Sequence, residues 1–181
     1  MVIITCWEGC QMLTLKIHHL KDLFRQVFTI TNPLLRKNCL RNCIQYHQEI
    51  IRMAEELNKV NKKVSGQMSV IGSIIMSSIA TQMLQGPSIA ATFHFIGYAL
   101  VIIVICQTGQ QLQDETYNIQ DAINISNWFI DPKLAKDVQI ILLRCQKPIY
   151  MQSVLLGAFN YSQLIMIVKT AYSYLTLMTH K

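Results

Sequence analysis

Cysteine and histidine are the residue types in this chain whose spacing could support chemistry. Cys6 and Cys10 are four residues apart, as are Cys39 and Cys43, and this spacing puts two thiols on one face of a helix, where they could hold a metal ion. A tetrahedral site needs further ligands, and neither a His nor a second Cys pair stands near enough to complete one. We therefore expect these thiols to be small buried side chains, with no metal and no cofactor.

The remaining polar residues form no catalytic set. His18, His19 and His47 lie in basic, amphipathic surroundings that are typical of polar helix faces. The sequence shows no Gly-rich phosphate loop, and no Ser-His-Asp set or paired carboxylates in an apolar segment. Only 14% of the residues are charged and 51% are hydrophobic, whereas soluble domains carry about 25% charged residues. The composition therefore argues against a soluble enzyme and predicts an integral membrane protein.

The last apolar segment carries the most informative polar pattern. Ser162, Lys169, Ser173, Thr176 and His180 are spaced by seven, four, three and four residues, so they share one face of a helix. Lipid contact would be costly for this face, which should therefore meet protein or water. It could form hydrogen bonds between helices, or line a pore that an apolar constriction gates by excluding water. Periodicity leaves both interpretations open.

Three segments are long and apolar enough to cross a bilayer, which takes about 20 residues. The chain has no Asp, Glu, Lys or Arg from Val64 to Gln113, and the turn Gln85-Gly86-Pro87-Ser88 divides this stretch. The fold class is therefore an all-α membrane protein, a polytopic bundle of transmembrane helices. The predicted spans are residues 64–84, 89–107 and 152–179.

The Lys and Arg residues orient these spans. Most of them lie in residues 16–63 and 114–148, and the Gly-Pro turn has none. By the positive-inside rule the two basic stretches are cytoplasmic, which also explains the net charge of +6 without any nucleic acid. The C-terminus then lies outside. Residues 1–36 should contain the end of a transmembrane helix whose first half is not in this chain, followed by the start of a cytoplasmic segment.

Two cytoplasmic segments are predicted to form amphipathic anchor helices. In residues 37–63 apolar side chains recur every three or four positions, and this helix should continue into the span at Val64 unless it lies flat on the membrane. Residues 108–148 contain a second helix, 132–147, with Asp131 as its N-cap. The apolar stripe of this second helix needs a partner surface. The expected subunit contacts are Leu134, Val138, Ile141, Leu142 and Cys145.

Three aromatic residues lie near the outer end of the second span. Phe93, Phe95 and Tyr98 could form an aromatic belt at the membrane surface. They could equally line an apolar ligand pocket, and the sequence leaves both interpretations open.

Several runs in this chain resemble the insect odorant receptor family. They include Gln110–Thr116, Asn127-Trp128-Phe129, Leu143–Pro148 and Lys169–Leu177. Phe129 and Leu175 depart from the Tyr and Phe that are usual in the family. The resemblance covers nearly the whole chain and is most specific toward the C-terminus.

The resemblance implies a seven-helix receptor subunit with a cytoplasmic N-terminus, in agreement with the charge pattern. In this family four subunits surround a cation pore lined by the seventh helix, and a ligand-tuned subunit assembles with an odorant co-receptor subunit. The expected ligand is a small volatile apolar molecule, and the expected location is the plasma membrane of olfactory sensory neurons, in contact with membrane lipid. Leu177 stands where the family narrows its pore. The residues expected to line or flank the pore are Lys169, Ser173, Tyr174, Thr176 and His180.

Three other interpretations compete with this one. A gustatory-type receptor is the nearest, but the last helix lacks the Gln that usually closes that family's motif. A fragment of a G-protein-coupled receptor would place the C-terminus inside the cell. A truncated, non-conducting subunit would only assemble with a partner.

Overall fold

The computed structural model describes residues 2–86, 89–153 and 157–179. Within them the chain is helical except for connecting turns and one short hairpin. The helices are α1 (Val2–Val27), α2 (Pro33–Gln85), α3 (Ile89–Ile125), α4 (Ala135–Cys145) and α5 (Tyr161–Thr179), with a 3-10 turn at Trp128–Ile130. The strands β1 (Gln152–Ser153) and β2 (Gly157–Ala158) are antiparallel, and Gln152 lies opposite Ala158.

These elements divide into two compact units. We call one the anchor unit, which consists of residues 4–57 and 111–150. The other, the span unit, contains the described residues of 2–3, 58–110 and 151–179. The helices α2 and α3 each run from one unit into the other without a break.

The anchor unit is organised by apolar stripes on four helical segments. Each stripe repeats at alternating steps of three and four residues, the period of helices that pack side by side. The buried stripe of α1 is Cys10, Leu13, Ile17, Leu20, Phe24 and Val27, and α2 contributes Leu40, Cys43, His47, Ile50 and Ala54. The stripe of α3 is Leu112, Thr116, Ile119 and Ile123, and the fourth is Leu134, Val138, Ile141 and Cys145.

The connection between α1 and α2 is held by local caps. The side chain of Asn32 accepts hydrogen bonds from the N–H groups of Leu34 and Leu35, at 3.0 and 3.4 Å, and so satisfies two of the unpaired donors that begin α2. Pro33 stands in the first helical position, where its missing N–H costs nothing. The guanidinium of Arg36 donates to the carbonyl of Ile30 through Nε and Nη2, which closes the turn.

The predicted helix 132–147 is shorter in the structure than expected. The carboxylate of Asp131 does cap, but it accepts from Lys133 N–H at 3.3 Å and closes a tight turn rather than an α-helix. The N–H of Leu134 then bonds to the carbonyl of Asp131 at 3.0 Å. The first α-helical bond follows, from Val138 N–H to the carbonyl of Leu134, so α4 begins at Ala135.

The prediction that residues 152–179 form one helix is wrong at its start. Residues 152–153 and 157–158 pair as a hairpin, whose base is closed by the Phe159 N–H donating to the carbonyl of Met151 at 2.9 Å. Gly157 has φ +75°, in the left-handed region that a glycine adopts without strain. The helix α5 therefore begins at Tyr161.

Among the described residues, one helix is long and apolar enough to cross a membrane, namely α3, Ile89–Ile125. Only 11% of its most apolar stretch is buried, so this surface faces away from the chain's own core. The helix continues well past residue 107, where the sequence had predicted the end of the span.

Candidate functional site

The polar stripe of α5 is the first candidate site, and the structure describes part of it. Lys169 and Ser173 are exposed and Thr176 is half-buried. Tyr174 and Leu177 belong to α5, but their side chains lie outside the described residues, as does the whole of His180.

The hydroxyl groups of this stripe donate to their own helix. Ser173 Oγ–H bonds to the carbonyl of Lys169 at 3.0 Å, and Thr176 Oγ1–H bonds to the carbonyl of Ser173 at 2.9 Å. Thr170 makes the same kind of bond to the carbonyl of Met166 at 2.8 Å. A hydroxyl that donates to its backbone still carries two acceptor lone pairs, so the stripe can present oxygen atoms to water or a cation. The geometry is therefore compatible both with a pore wall and with contacts between helices.

The N-terminus of α5 is capped by side chains from both sides. The side-chain oxygen of Asn160 accepts the Gln163 N–H at 3.0 Å, and its carbonyl accepts the Leu164 N–H at 3.1 Å. The Tyr161 N–H donates to Gln110 Oε1 of α3 at 3.3 Å. These bonds satisfy the exposed donors of the first turn and attach the start of α5 to α3.

The hairpin before α5 is attached to the neighbouring helices. Asn58 Oδ1 of α2 accepts the Gln152 N–H at 2.9 Å. On α3, Gly109 is buried, and a Cβ placed there would lie 2.2 Å from the carbonyl oxygen of Phe159. Only a glycine lets the two backbones approach so closely.

The three aromatic candidates for a ligand pocket lie on α3. Phe93 is 71% exposed and Phe95 is 42% exposed, while Tyr98 is half-buried. Within the described residues, therefore, the two Phe rings do not form the wall of a closed cavity.

The expected anchor and subunit contacts of α4 lie in the anchor unit. Leu134, Val138, Ile141 and Cys145 are buried in the anchor unit of this chain, and Leu142 is half-buried. The stripe does need a partner surface, as inferred, and within the anchor unit the same chain supplies one. The apolar side chains that α4 leaves exposed are Ile140 and Leu143.

His47 is in a different place from the one predicted. It is 5% exposed and lies in the buried stripe of α2, not on a polar face. Burial, with the positive charge of Arg144 nearby as a second cause, lowers its pKa to about 4. The imidazole is therefore neutral near pH 7. His18 and His19 are exposed, as expected.

Two buried thiols in the anchor unit, Cys43 and Cys145, are unreactive. Burial raises the pKa of the Cys43 thiol to about 12 and that of Cys145 to about 11, so the nucleophilic thiolate is scarce near neutral pH. Within the part of the chain that the structure describes, no three His, Cys, Asp or Glu side chains come together as metal ligands would.

Two ion pairs that sequence reasoning missed hold the anchor unit together. Lys21 of α1 pairs with Glu115 of α3, and His18 Nε2 lies 3.6 Å from the same carboxylate. Arg36 Nη1 lies 3.3 Å from Asp131 Oδ2. Each pair joins residues more than ninety positions apart, and no local pattern identifies such partners. The sequence Asn160…Gln163, by contrast, resembles a capping box and could have placed the start of α5.

Comparison with known proteins places this architecture in a family. Residues 1–172 match the family described as "7tm Odorant receptor". The chain is 22% identical over 168 residues to Odorant receptor 82a of Drosophila melanogaster, a match that covers 88% of this chain and 43% of that receptor. It is 23% identical over 144 residues to Odorant receptor 47b of the same species, covering 75% of this chain and 35% of that receptor.

The chain thus spans less than half the length of the curated relatives it matches. The family match nevertheless covers the buried stripes of the anchor unit, the long apolar helix α3 and most of α5. Both relatives are odorant receptors, which favours that family over the gustatory-type alternative. This all-α membrane chain belongs to the seven-transmembrane odorant receptor family.

Proposed function

We propose that this chain is part of a ligand-tuned odorant receptor subunit that opens a non-selective cation pore together with an odorant co-receptor subunit. The observation that carries the proposal is the family match over residues 1–172. The short connection before α2, residues 28–32, also supports a ligand-tuned subunit, because the co-receptor carries a long cytoplasmic insertion at this point. The proposed location is the plasma membrane of olfactory sensory neurons.

In the proposed mechanism α5 lines the pore. Lys169, Ser173 and Thr176 share one face of this helix, and the hydroxyls of Ser173 and Thr176 keep acceptor lone pairs for water or a passing cation. Leu177 is the proposed gate, because an apolar ring at a narrow point excludes water and therefore ions. Tyr174 and His180 are proposed to flank this constriction.

The proposed stimulus is a small volatile apolar molecule. It would bind in the outer half of the bundle, where Phe93, Phe95 and Tyr98 offer aromatic surface, and it would shift the receptor toward a state with the α5 helices of the subunits displaced outward. A ligand changes this equilibrium only by binding the open state more tightly than the closed one. No feature of the described residues identifies the odorant.

The gate assignment is tested by Leu177→Ala in the complete reading frame that contains this chain, co-expressed with an odorant co-receptor subunit. Removing the apolar side chain should widen and wet the constriction. We expect the ligand-independent current to rise at least about fivefold, the lower end of typical coupling effects.

Whole-cell recording measures this current, and surface labelling verifies that each variant reaches the membrane in equal amount. The matched control is Ile165→Ala, which truncates an exposed side chain near the other end of α5 and should leave the resting current unchanged. An unchanged resting current in Leu177→Ala at normal surface expression would rule out this gate.

A further inference from the structure

One residue in the first turn of α5 is buried. Gln163 is only 8% exposed, although its side chain is polar. Tyr161, at 49%, and Ser162 are exposed in the same turn. Ile165, Met166 and Val168 are 54%, 55% and 60% exposed, although all three are apolar. Among the described residues of α5, Gln163 therefore marks the side of the helix start that packs within the span unit.

A close backbone contact between α3 and Phe159 lies just before α5. A Cβ at position 109 would lie 2.2 Å from the carbonyl oxygen of Phe159, 3.0 Å from its Cβ and 3.1 Å from its carbonyl carbon. Two of these three atoms are backbone atoms, so a rotamer change could not relieve the clash. The position of Phe159, two residues before α5, is therefore set directly by the surface of α3.

Directional hydrogen bonds add to the contact. Asn58 of α2 accepts the N–H of Gln152 in β1, and Gln110 of α3 accepts the N–H of Tyr161 at the start of α5. Between these two hydrogen bonds along the chain, the hairpin is closed by its own hydrogen bond, in which the Phe159 N–H donates to the Met151 carbonyl. The helices α2 and α3 therefore hold the hairpin and the first turn of α5 at three residues, namely Gln152, Phe159 and Tyr161.

We propose that Asn58, Gly109 and Gln110 are positioning residues that fix the N-terminal end of α5, so that α5 moves about this end when the pore opens. The proposal rests on the proposed function, since it assigns a pivot to the helix that would line the pore. A helix held at one end can tilt its far end with little change at the held end. The predicted gate, Leu177, lies toward that far end.

A disulfide between α2 and the hairpin tests the pivot by holding the N-terminal end of α5 in place. Asn58→Cys and Gln152→Cys are introduced together in the complete reading frame, because the side chain of Asn58 already reaches the backbone of Gln152 at 2.9 Å. Oxidation should join the two cysteines, and mass spectrometry of the digested protein should detect the linked peptides. The single variants control for pairing with the six native cysteines.

The linked receptor should still open, because the proposal requires no movement at this end. We expect the linked receptor to give the ligand-evoked current of the unmodified receptor, within about twofold, and we expect reduction with dithiothreitol to change that current, because the reduced variant has lost the hydrogen bond of Asn58. A receptor that links and loses its current until it is reduced would overturn the pivot. If the unmodified receptor gives no ligand-evoked current although the double variant forms the link, the proposed channel function fails and the contact between α2 and the hairpin stands.

Gly109→Ala tests the close contact between α3 and Phe159 by disrupting it. The added methyl group must displace the backbone of Phe159 and with it the start of α5, so we expect the half-maximal ligand concentration or the resting current to change at least about fivefold. Gly97→Ala is the matched control, because it lies on the same helix with nothing within 4 Å of an added Cβ. Equal responses of the two variants at equal surface expression would overturn the proposal.

Discussion

His47 shows how one position in a packing stripe can carry a polar side chain and remain neutral. Its neighbours along the stripe, Cys43 and Ile50, are almost completely buried, and the imidazole shares their environment. A charged imidazole would lose its hydration there and would meet the like charge of Arg144. The folded protein therefore binds a proton at this site much less readily than the unfolded chain does.

The stability of the protein should consequently depend on pH through His47. The folded pKa is about 4 and the ordinary value is 6.5, so the unfolded chain binds the extra proton between these values. Protonation then favours unfolding, and the contribution of neutral His47 is complete above pH 6.5 and is lost as the pH falls toward 4. We expect the free energy of unfolding to fall by roughly 1 kcal/mol per pH unit in this window.

Thermal unfolding of the detergent-solubilised protein, followed at several pH values, measures this slope. His47→Gln removes the titrating group and should flatten the dependence relative to the unmodified protein. His19→Gln, an exposed histidine on α1, should leave it in place. Parallel curves for all three proteins would contradict the assignment.

At the scale of elements, α1 and α3 are joined by one nearly buried ion pair. The side chains of Lys21 and Glu115 are 10% and 17% exposed, so water screens them far less than it screens a surface pair. Such a pair is not a large net gain, because both charges lose hydration. Its importance lies in what happens when one partner is removed, since the other charge is then left buried.

Lys21→Met should therefore destabilise the protein by about 2 kcal/mol, because Glu115 would retain only His18 nearby. The double variant Lys21→Met/Glu115→Gln should recover much of this loss. Thermal unfolding of the four proteins of the double-mutant cycle measures the coupling.

Arg25→Ala is the control, because it breaks the exposed pair Arg25–Asp22 and should cost less than about 0.5 kcal/mol. If Lys21→Met were as mild as this control, the pair would have no structural role.

The sequence predicted the helices more reliably than the contacts between them. The three- and four-residue repeats of residues 40–54 and 134–145 identify helices with one buried face, and they do so from local pattern alone. The hairpin before α5 was missed because Val154, Leu155 and Leu156 are apolar and continue the hydrophobicity of a span. Gly157 was the available signal for a turn, together with the cap at Asn160.

The candidate site was predictable only as a set of residues on one face. Spacing placed Lys169, Ser173 and Thr176 together on α5, since a helix fixes which residues share a face. It could not reveal that the hydroxyls bond to their own backbone. Neither could it single out Gly109 among the seven glycines, because the contact with Phe159 depends on how two distant segments pack.

At the scale of the whole molecule, the arrangement of basic residues predicts which ends of the chain face the cytoplasm. An epitope tag after Lys181 should bind an impermeant antibody on intact cells, because the positive-inside rule leaves the C-terminus outside. A tag inserted between α1 and α2, at residues 30–31, should bind only after the cells are permeabilised.

Immunofluorescence before and after permeabilisation measures both tags in the complete reading frame. A C-terminal tag that is accessible only after permeabilisation would contradict the orientation, and it would favour the topology of a G-protein-coupled receptor. Accessibility of the inserted tag in intact cells would contradict the cytoplasmic position of this connection.

The capping role of Asn160 has a practical consequence for the use of N-glycosylation to map which side of the membrane a segment lies on. Asn160-Tyr161-Ser162 and Asn124-Ile125-Ser126 both have the form of an N-glycosylation acceptor. In the folded chain Asn160 caps α5, and the Ser126 hydroxyl is buried and bonded to the carbonyl of Ile123 at 2.6 Å. A bulky sugar needs an accessible surface segment, so a missing glycan at either asparagine does not by itself report the side of the membrane.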